Sequence, residues 1–257
     1  MIHPTAVVAP EAEIGADVAI GPHCVVNAGA VIGDRCTLHS HVVIDGPCTI
    51  GSDNEFYPFA TIGTRSQDLK YAGEPTAAHI GDHNTFREYV TVHRGTTAEF
   101  PTRIGSHNHL LAYAHAAHDS LIGDHCILSN GATLGGHVTV EDHVIISGLS
   151  GVHQFCRLGA HAMIGGCTKI VQDVPPFMIA DGNPASLRGL NLVGLQRRGF
   201  SDDAVRSLKA AYKALFLKKE TNLSTRIEAL TAEPAAEQPE VARLLAFLAE
   251  SERGVVR

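Results

Sequence analysis

A chain of 257 residues, 44% apolar and only 18% charged, has the composition of a folded globular protein and lies far from the disordered class. Its formal net charge of −7 argues against a nucleic-acid partner, and no apolar run approaches the ~20 residues that cross a bilayer. The N-terminal stretch lacks the basic-then-apolar layout of a signal peptide. The six cysteines show no CxxC spacing. A cytoplasmic location is therefore expected.

From the first residues the chain repeats with a period of six. Apolar side chains stand at Val8, Ile14, Ile20, Val26, Ile32, Leu38, Ile44, Ile50, Phe56 and Ile62. The same phase resumes at Ile80, Phe86 and Val92, and again from Ile104 to Ile170. A small residue follows four places later, as at Val18, Cys24, Ala30, Cys36, Val42 and Cys48, and a glycine often comes directly after the apolar residue. Neither a helix nor a simple strand has this period. A triangular coil of three short strands does, with one hexapeptide per side and 18 residues per turn. Bulky and small residues both point inward, and glycine is expected to permit the corner. Stacked coils pair like parallel strands at about 4.8 Å, so nine or so turns give a prism roughly 40–45 Å tall. Cys24, Cys36, Cys48, Cys126 and Cys156 occupy the small inward position and read as core filler.

Two stretches lose the phase, 64–79 and 94–103, and read as loops thrown out from the prism. The segment 174–186, with two prolines and a Gly-Asn-Pro, marks a boundary. The prism is accordingly placed at 1–185 and a helical domain at 186–257. Ser201 is expected to cap a helix over 202–219, with acidic residues in its first turn and lysines in its last. A second helix is expected around 223–232 and a third from Pro239. Helices at the end of such a prism cover its unpaired strand edges.

An 18-residue coil converts spacing into geometry. His118, Gly136 and Gln154 form one vertical column, with His137 and His153 beside it. His115 precedes His118 on the same turn, and His93 opens the second loop. Asp119 follows His118 directly. A histidine near neutral pKa with a carboxylate to fix its tautomer suits general-base work. A glycine one coil away brings a backbone N–H within reach of a developing oxyanion.

Several segments carry a resemblance: QDLKYAGEPT (67–76), TVHRGT (91–96), HAAHDS (115–120), GVHQFC (151–156), QDVPPFMIADGN (172–183) and GLQRRGFS (194–201). Through them the chain resembles, over nearly its full length, the UDP-N-acetylglucosamine acyltransferases that open lipid A synthesis. The resemblance implies a mainly β fold, a left-handed parallel β-helix with a C-terminal helical domain. It also implies a homotrimer with sites between subunits. The expected reaction moves a (3R)-3-hydroxyacyl group from acyl carrier protein to the 3-hydroxyl of UDP-N-acetylglucosamine. On this reading His118 is the base, Asp119 orients it, and Gly136 N–H stabilises the oxyanion. Substrate contacts are implied at Gln67, Asp68, Lys70, His93, His115, His137, His153, Gln154, Asn191, Arg197 and Arg198. Gly166 matches the end-stop of the acyl groove, and a glycine there points to a C12–C14 chain. Val193 departs from the family pattern, which has Glu at that place. No metal or other cofactor is implied.

Other readings were weighed. Zinc binding of the β-helix carbonic anhydrase type requires a third histidine where this chain has Ser120, Gly148 or Gly166. The related UDP-sugar N-acyltransferase uses the same chemistry, but normally adds an N-terminal uridine-binding domain before its hexapeptides. A non-catalytic scaffold has no need of the His118–Asp119 column. A basic helix face at Arg206, Lys209 and Lys213 offers a surface for steering an acidic carrier protein.

Overall fold

The six-residue period folds as expected, into short strands separated by corner turns. The computed structural model describes residues 1–217 and 221–257. Among the described residues three sheets of nine, eight and ten strands form the faces of a prism. Successive coils pair in parallel: Val7 faces Val25, and Val25 faces Val43. One closing pair is antiparallel, Met178–Asp181 with Ser186–Leu190. Apolar and small inward positions alike are sealed, from Ile20, Cys24 and Val26 to Ile164 and Ile170. The five inward cysteines are buried and free, whereas Cys167 is exposed.

The first loop occupies 65–77, between strands Thr61–Thr64 and Ala78–Ile80. The second occupies 94–101, between Thr91–His93 and Thr102–Ile104. The prism passes through both without losing register. A buried asparagine ladder records this: Asn54 bonds Asn84, 30 residues on, and Asn84 bonds Asn108, 24 on. Asn108 then reaches Cys126 at the ordinary step of 18.

The corners correct the expected role of glycine. The left-handed backbone falls three places after the apolar residue, on non-glycine residues such as Arg35 (φ 55°), Asp53 (φ 59°) and His125 (φ 57°). The glycine directly after the apolar residue is needed for close approach between coils. A Cβ on Gly33 would lie 2.6 Å from the carbonyl carbon of Gly51 on the next coil, a distance no side chain tolerates. The left-handed positions stack rings instead. His83, His107, His125, His143 and His161 form one ladder along an edge, with centroids 4.7–4.9 Å apart.

The last of these rings is closed in by Phe177 and Phe200, and its Nδ1 is buried without a partner. Burial is the main cause that pulls the His161 pKa down to about 4, and neighbouring His143 adds to it. The unfolded chain takes up this proton near 6.5. Stability contributed by the neutral ring is therefore full above pH 6.5 and is lost as pH falls toward 4, by at most ~1.4 kcal/mol per pH unit for the site. The urea midpoint is expected to drop between pH 7.5 and 5, and His161→Asn is expected to reduce that drop.

Four helices follow the prism: α1 (Leu192–Arg197), α2 (Asp202–Tyr212), α3 (Leu223–Thr231) and α4 (Pro239–Ala249). Ser201 caps α2 by accepting from the Ala204 amide, with Asp202 and Asp203 in the first turn. Asn222 caps α3 in the same way, and Pro239 opens α4. The α-helix over 202–219 stops earlier than expected, at Tyr212, and a π-helical turn takes Lys213–Leu217. The expected last-turn lysines, Lys218 and Lys219, lie outside the described residues. Leu195, Leu208, Leu215, Val241 and Leu244 form a second core with Phe177 and Met178, so the helices cover the final coils. The C-terminus returns to the prism, where Val255 pairs with Asp173 and Ser251 donates to its carboxylate. No helix among the described residues is long and apolar enough to cross a membrane.

Candidate active site

The His118 column stands as the 18-residue coil requires. His137 N–H donates to the His118 carbonyl, and Phe155 N–H to that of Gly136. His118 Nδ1 lies 2.7 Å from Asp119 Oδ2. The Asp119 side chain is 1% exposed and that of His118 13%, so the carboxylate works from behind a ring that reaches the surface. Such a carboxylate fixes the proton on Nδ1 and leaves the Nε2 lone pair free to accept.

Asp119 is itself held. Its Oδ1 accepts the Thr96 amide at 2.8 Å, and its own amide donates to Thr102 Oγ1 at 2.9 Å. Thr96 Oγ1 also lies 3.1 Å from His118 Nδ1 and 2.9 Å from Ser66 Oγ. Both loops are thus tied to the pair through Thr96. Neither Thr96 nor Thr102 was singled out from the sequence. The usable signal was that Ser66 and Thr96 are 30 apart, the same step that separates Asn54 from Asn84.

Gly136 presses against the imidazole. A Cβ there would lie 2.4 Å from His118 Cε1 and 2.7 Å from Nε2. Its N–H has no acceptor among the described residues. An unpaired amide beside a basic imidazole nitrogen is an arrangement that can meet a carbonyl oxygen as it gains charge.

Two neighbouring histidines are held neutral. Burial, then the like charges of His115 and His118, bring the His93 pKa down to about 4, and its Nδ1 is buried and unpartnered. Burial followed by His118 lowers that of His115, whose Nδ1 lies 2.7 Å from Thr91 Oγ1. His153 and Gln154 line an open groove of about 420 Å³ with Gly136, Gly151 and Lys169. Gly166 is exposed, and a Cβ there would meet only the Gly148 carbonyl oxygen, at 3.7 Å. In the first loop Gln67 and Lys70 are exposed. Asp68 accepts the Lys70 amide at 2.9 Å and brings its carboxylate toward His118 and His137.

Three expected residues lie elsewhere. Asn191, Arg197 and Arg198 sit at the edge that carries the histidine ladder, one side of the prism away from His118. Asn191 is 3% exposed. It caps α1 through the Gly194 amide and donates to the His161 carbonyl. Arg198 donates to the His143 carbonyl at 3.1 Å, and burial lowers its pKa. Arg197 is exposed. With Val193, Ile145 and Met163, the two arginines line a separate depression of about 580 Å³. On the basic face of α2, Arg206 is ion-paired to Asp203 at 2.9 Å.

Stacked hexapeptide coils with a histidine–carboxylate pair at one edge are the mark of a transferase of the hexapeptide class. The family described as bacterial transferase hexapeptide (six repeats) matches residues 29–64 and 101–136. Residues 173–256 match domain 2 of UDP N-acetylglucosamine O-acyltransferase. The chain belongs to the acyl-[acyl-carrier-protein]–UDP-N-acetylglucosamine O-acyltransferase family. The Thiobacillus denitrificans enzyme of that name is 53% identical over 257 residues, covering 100% of this chain and 99% of the relative. The solved structure of LpxA from Acinetobacter baumannii is 43% identical with a TM-score of 0.94, covering 100% of this chain and 99% of that one. LpxA from Bacteroides fragilis, a UDP-N-acetylglucosamine acyltransferase, is 39% identical with a TM-score of 0.97 and full coverage of both chains.

Proposed function

We propose that this protein transfers a (3R)-3-hydroxyacyl group from the thioester of acyl carrier protein to the 3-hydroxyl of UDP-N-acetylglucosamine, the first step of lipid A synthesis. The observation that carries the chemistry is the 2.7 Å contact of His118 Nδ1 with buried Asp119, with the Gly136 amide beside the same ring. His118 Nε2 takes the proton of the sugar hydroxyl as its oxygen attacks the thioester carbonyl. The tetrahedral oxyanion accepts from Gly136 N–H, and Asp119 stabilises the imidazolium. Collapse breaks the C–S bond, and the proton passes from His118 to the departing thiolate. Neutral His93 and His115 offer acceptors to substrate hydroxyl or amide groups without repelling the imidazolium that forms.

The sugar nucleotide is assigned to Gln67, Asp68, Lys70, His137, His153 and Gln154 near the base, and its diphosphate to Arg197 and Arg198. A guanidinium pair suits phosphate oxygens. Those arginines lie on a different edge from His118, so a complete site needs a second copy of the chain. A homotrimer, with the His118 edge of one subunit facing the Arg197 edge of the next, meets that need. The catalytic face is assigned to 1–185 and the helical domain to 186–257.

Transfer to UDP-N-acetylglucosamine from a panel of (3R)-hydroxyacyl carrier proteins tests the assignment. Because Gly166 leaves the groove open, C12–C14 donors are expected to turn over fastest. A best donor of C10 or shorter overturns the chain-length reading. Turnover with a 3-amino UDP-sugar alone, or with an already acylated one, moves the assignment to the N-acyl reaction.

A further inference from the structure

Three side chains at the reaction centre share one small volume. The Asp68 carboxylate and one ring nitrogen each of His118 and His137 offer ligand atoms within 4.8 Å of one another. They come from the first loop and from two successive coils, and none of the three is fully buried. The other nitrogen of His118 is held by Asp119 at 2.7 Å. A carboxylate behind an imidazole is the outer-shell arrangement that fixes the tautomer of a metal-binding histidine and raises its basicity.

Two imidazoles and one carboxylate form a mixed N and O set that Zn²⁺ takes at about 2.0–2.2 Å, with water in the fourth position. Tetrahedral ligands at those lengths stand roughly 3–3.5 Å apart, so Asp68 has to move inward to complete the set. One Asp68 oxygen is engaged only by the amide of Lys70, two residues on in the same loop. The other oxygen remains available as a ligand.

We propose that Asp68, His118 and His137 form a Zn²⁺ site that inhibits the enzyme. A metal ion on His118 Nε2 takes the lone pair that removes the proton from the sugar hydroxyl, and it occupies the space of that hydroxyl. Zn²⁺ and UDP-N-acetylglucosamine therefore exclude one another. The inhibition rests on the general-base reading given above, whereas the binding does not.

Titration of the metal-stripped full chain with Zn²⁺, by calorimetry or against a chromogenic chelator, decides the matter. One Zn²⁺ per chain is expected at this site, with affinity reduced at least ~10-fold in Asp68→Asn and in His137→Gln. His125→Asn, in the edge ladder, is expected to bind like wild type, and saturating UDP-N-acetylglucosamine to weaken binding in the wild type. Equal affinity in wild type and Asp68→Asn overturns the site, as does loss of binding in His125→Asn. Asp68 lies in a loop outside the core, so this variant keeps the test valid even where His137→Gln fails to fold. Zn²⁺ that binds here yet leaves the transfer rate unchanged overturns the inhibition, and with it the general-base role of His118, while the site itself stands.

Discussion

His118→Ala is expected to lower kcat for acyl transfer by at least ~100-fold, the loss that follows removal of a positioned general base. The ring makes no contribution to the prism core, because its side chain stands at a corner and reaches the surface. The coil is held by backbone bonds that alanine leaves intact, including the His137 N–H to the carbonyl of residue 118. Thermal unfolding of the variant should therefore stay close to wild type while activity falls. KM for the sugar nucleotide should change much less than kcat, since the lost interaction is made with a proton in flight. Wild-type activity in the variant removes His118 from the mechanism and leaves the family assignment standing.

Gly136→Ala is expected to be nearly as damaging, for a different reason. The new methyl carbon falls 2.4 Å from His118 Cε1, so the imidazole has to swing away. Its 2.7 Å contact with Asp119 is then lost, and the amide that faces the oxyanion shifts with it. Loss of one oxyanion donor alone costs ~10²–10³ in kcat, and misplacement of the base adds to that. Backbone conformation is not the obstacle, because Gly136 is absent from the residues with positive φ. Circular dichroism and kcat measured on one preparation separate the two effects. A folded variant with wild-type kcat places the amide and the ring outside the reaction.

Much of this was legible because the repeat is strict. Ile20, Cys24 and Val26 are buried in the positions that a six-residue period assigns them. The His118–Gly136 column follows from counting 18. What the period could not reach lay in the loops and corners. Thr96 touches Asp119 through a backbone amide in a segment with no phase. The corner glycines appeared to serve backbone freedom, when the contact that demands them is with the next coil, which no single hexapeptide reveals. Asn191 read as a ligand contact because asparagine is polar, yet its amide is used to cap α1 and to hold the His161 carbonyl. The arginine pair was found by motif, but its separation from His118 needed three dimensions.

The passage of the prism through its two loops makes residue number an address. With steps of 18, 30 and 24 between stacked residues, each interruption adds whole sides of the triangle. Height along the axis and azimuth around it can then be computed for any residue from its number alone. An insertion of six or twelve leaves every later residue at its old azimuth, whereas an insertion of one turns the inward set toward solvent along all the coils that follow. Chain length in this architecture can grow only in quanta, and the two loops that meet at Thr96 are where such growth is already written.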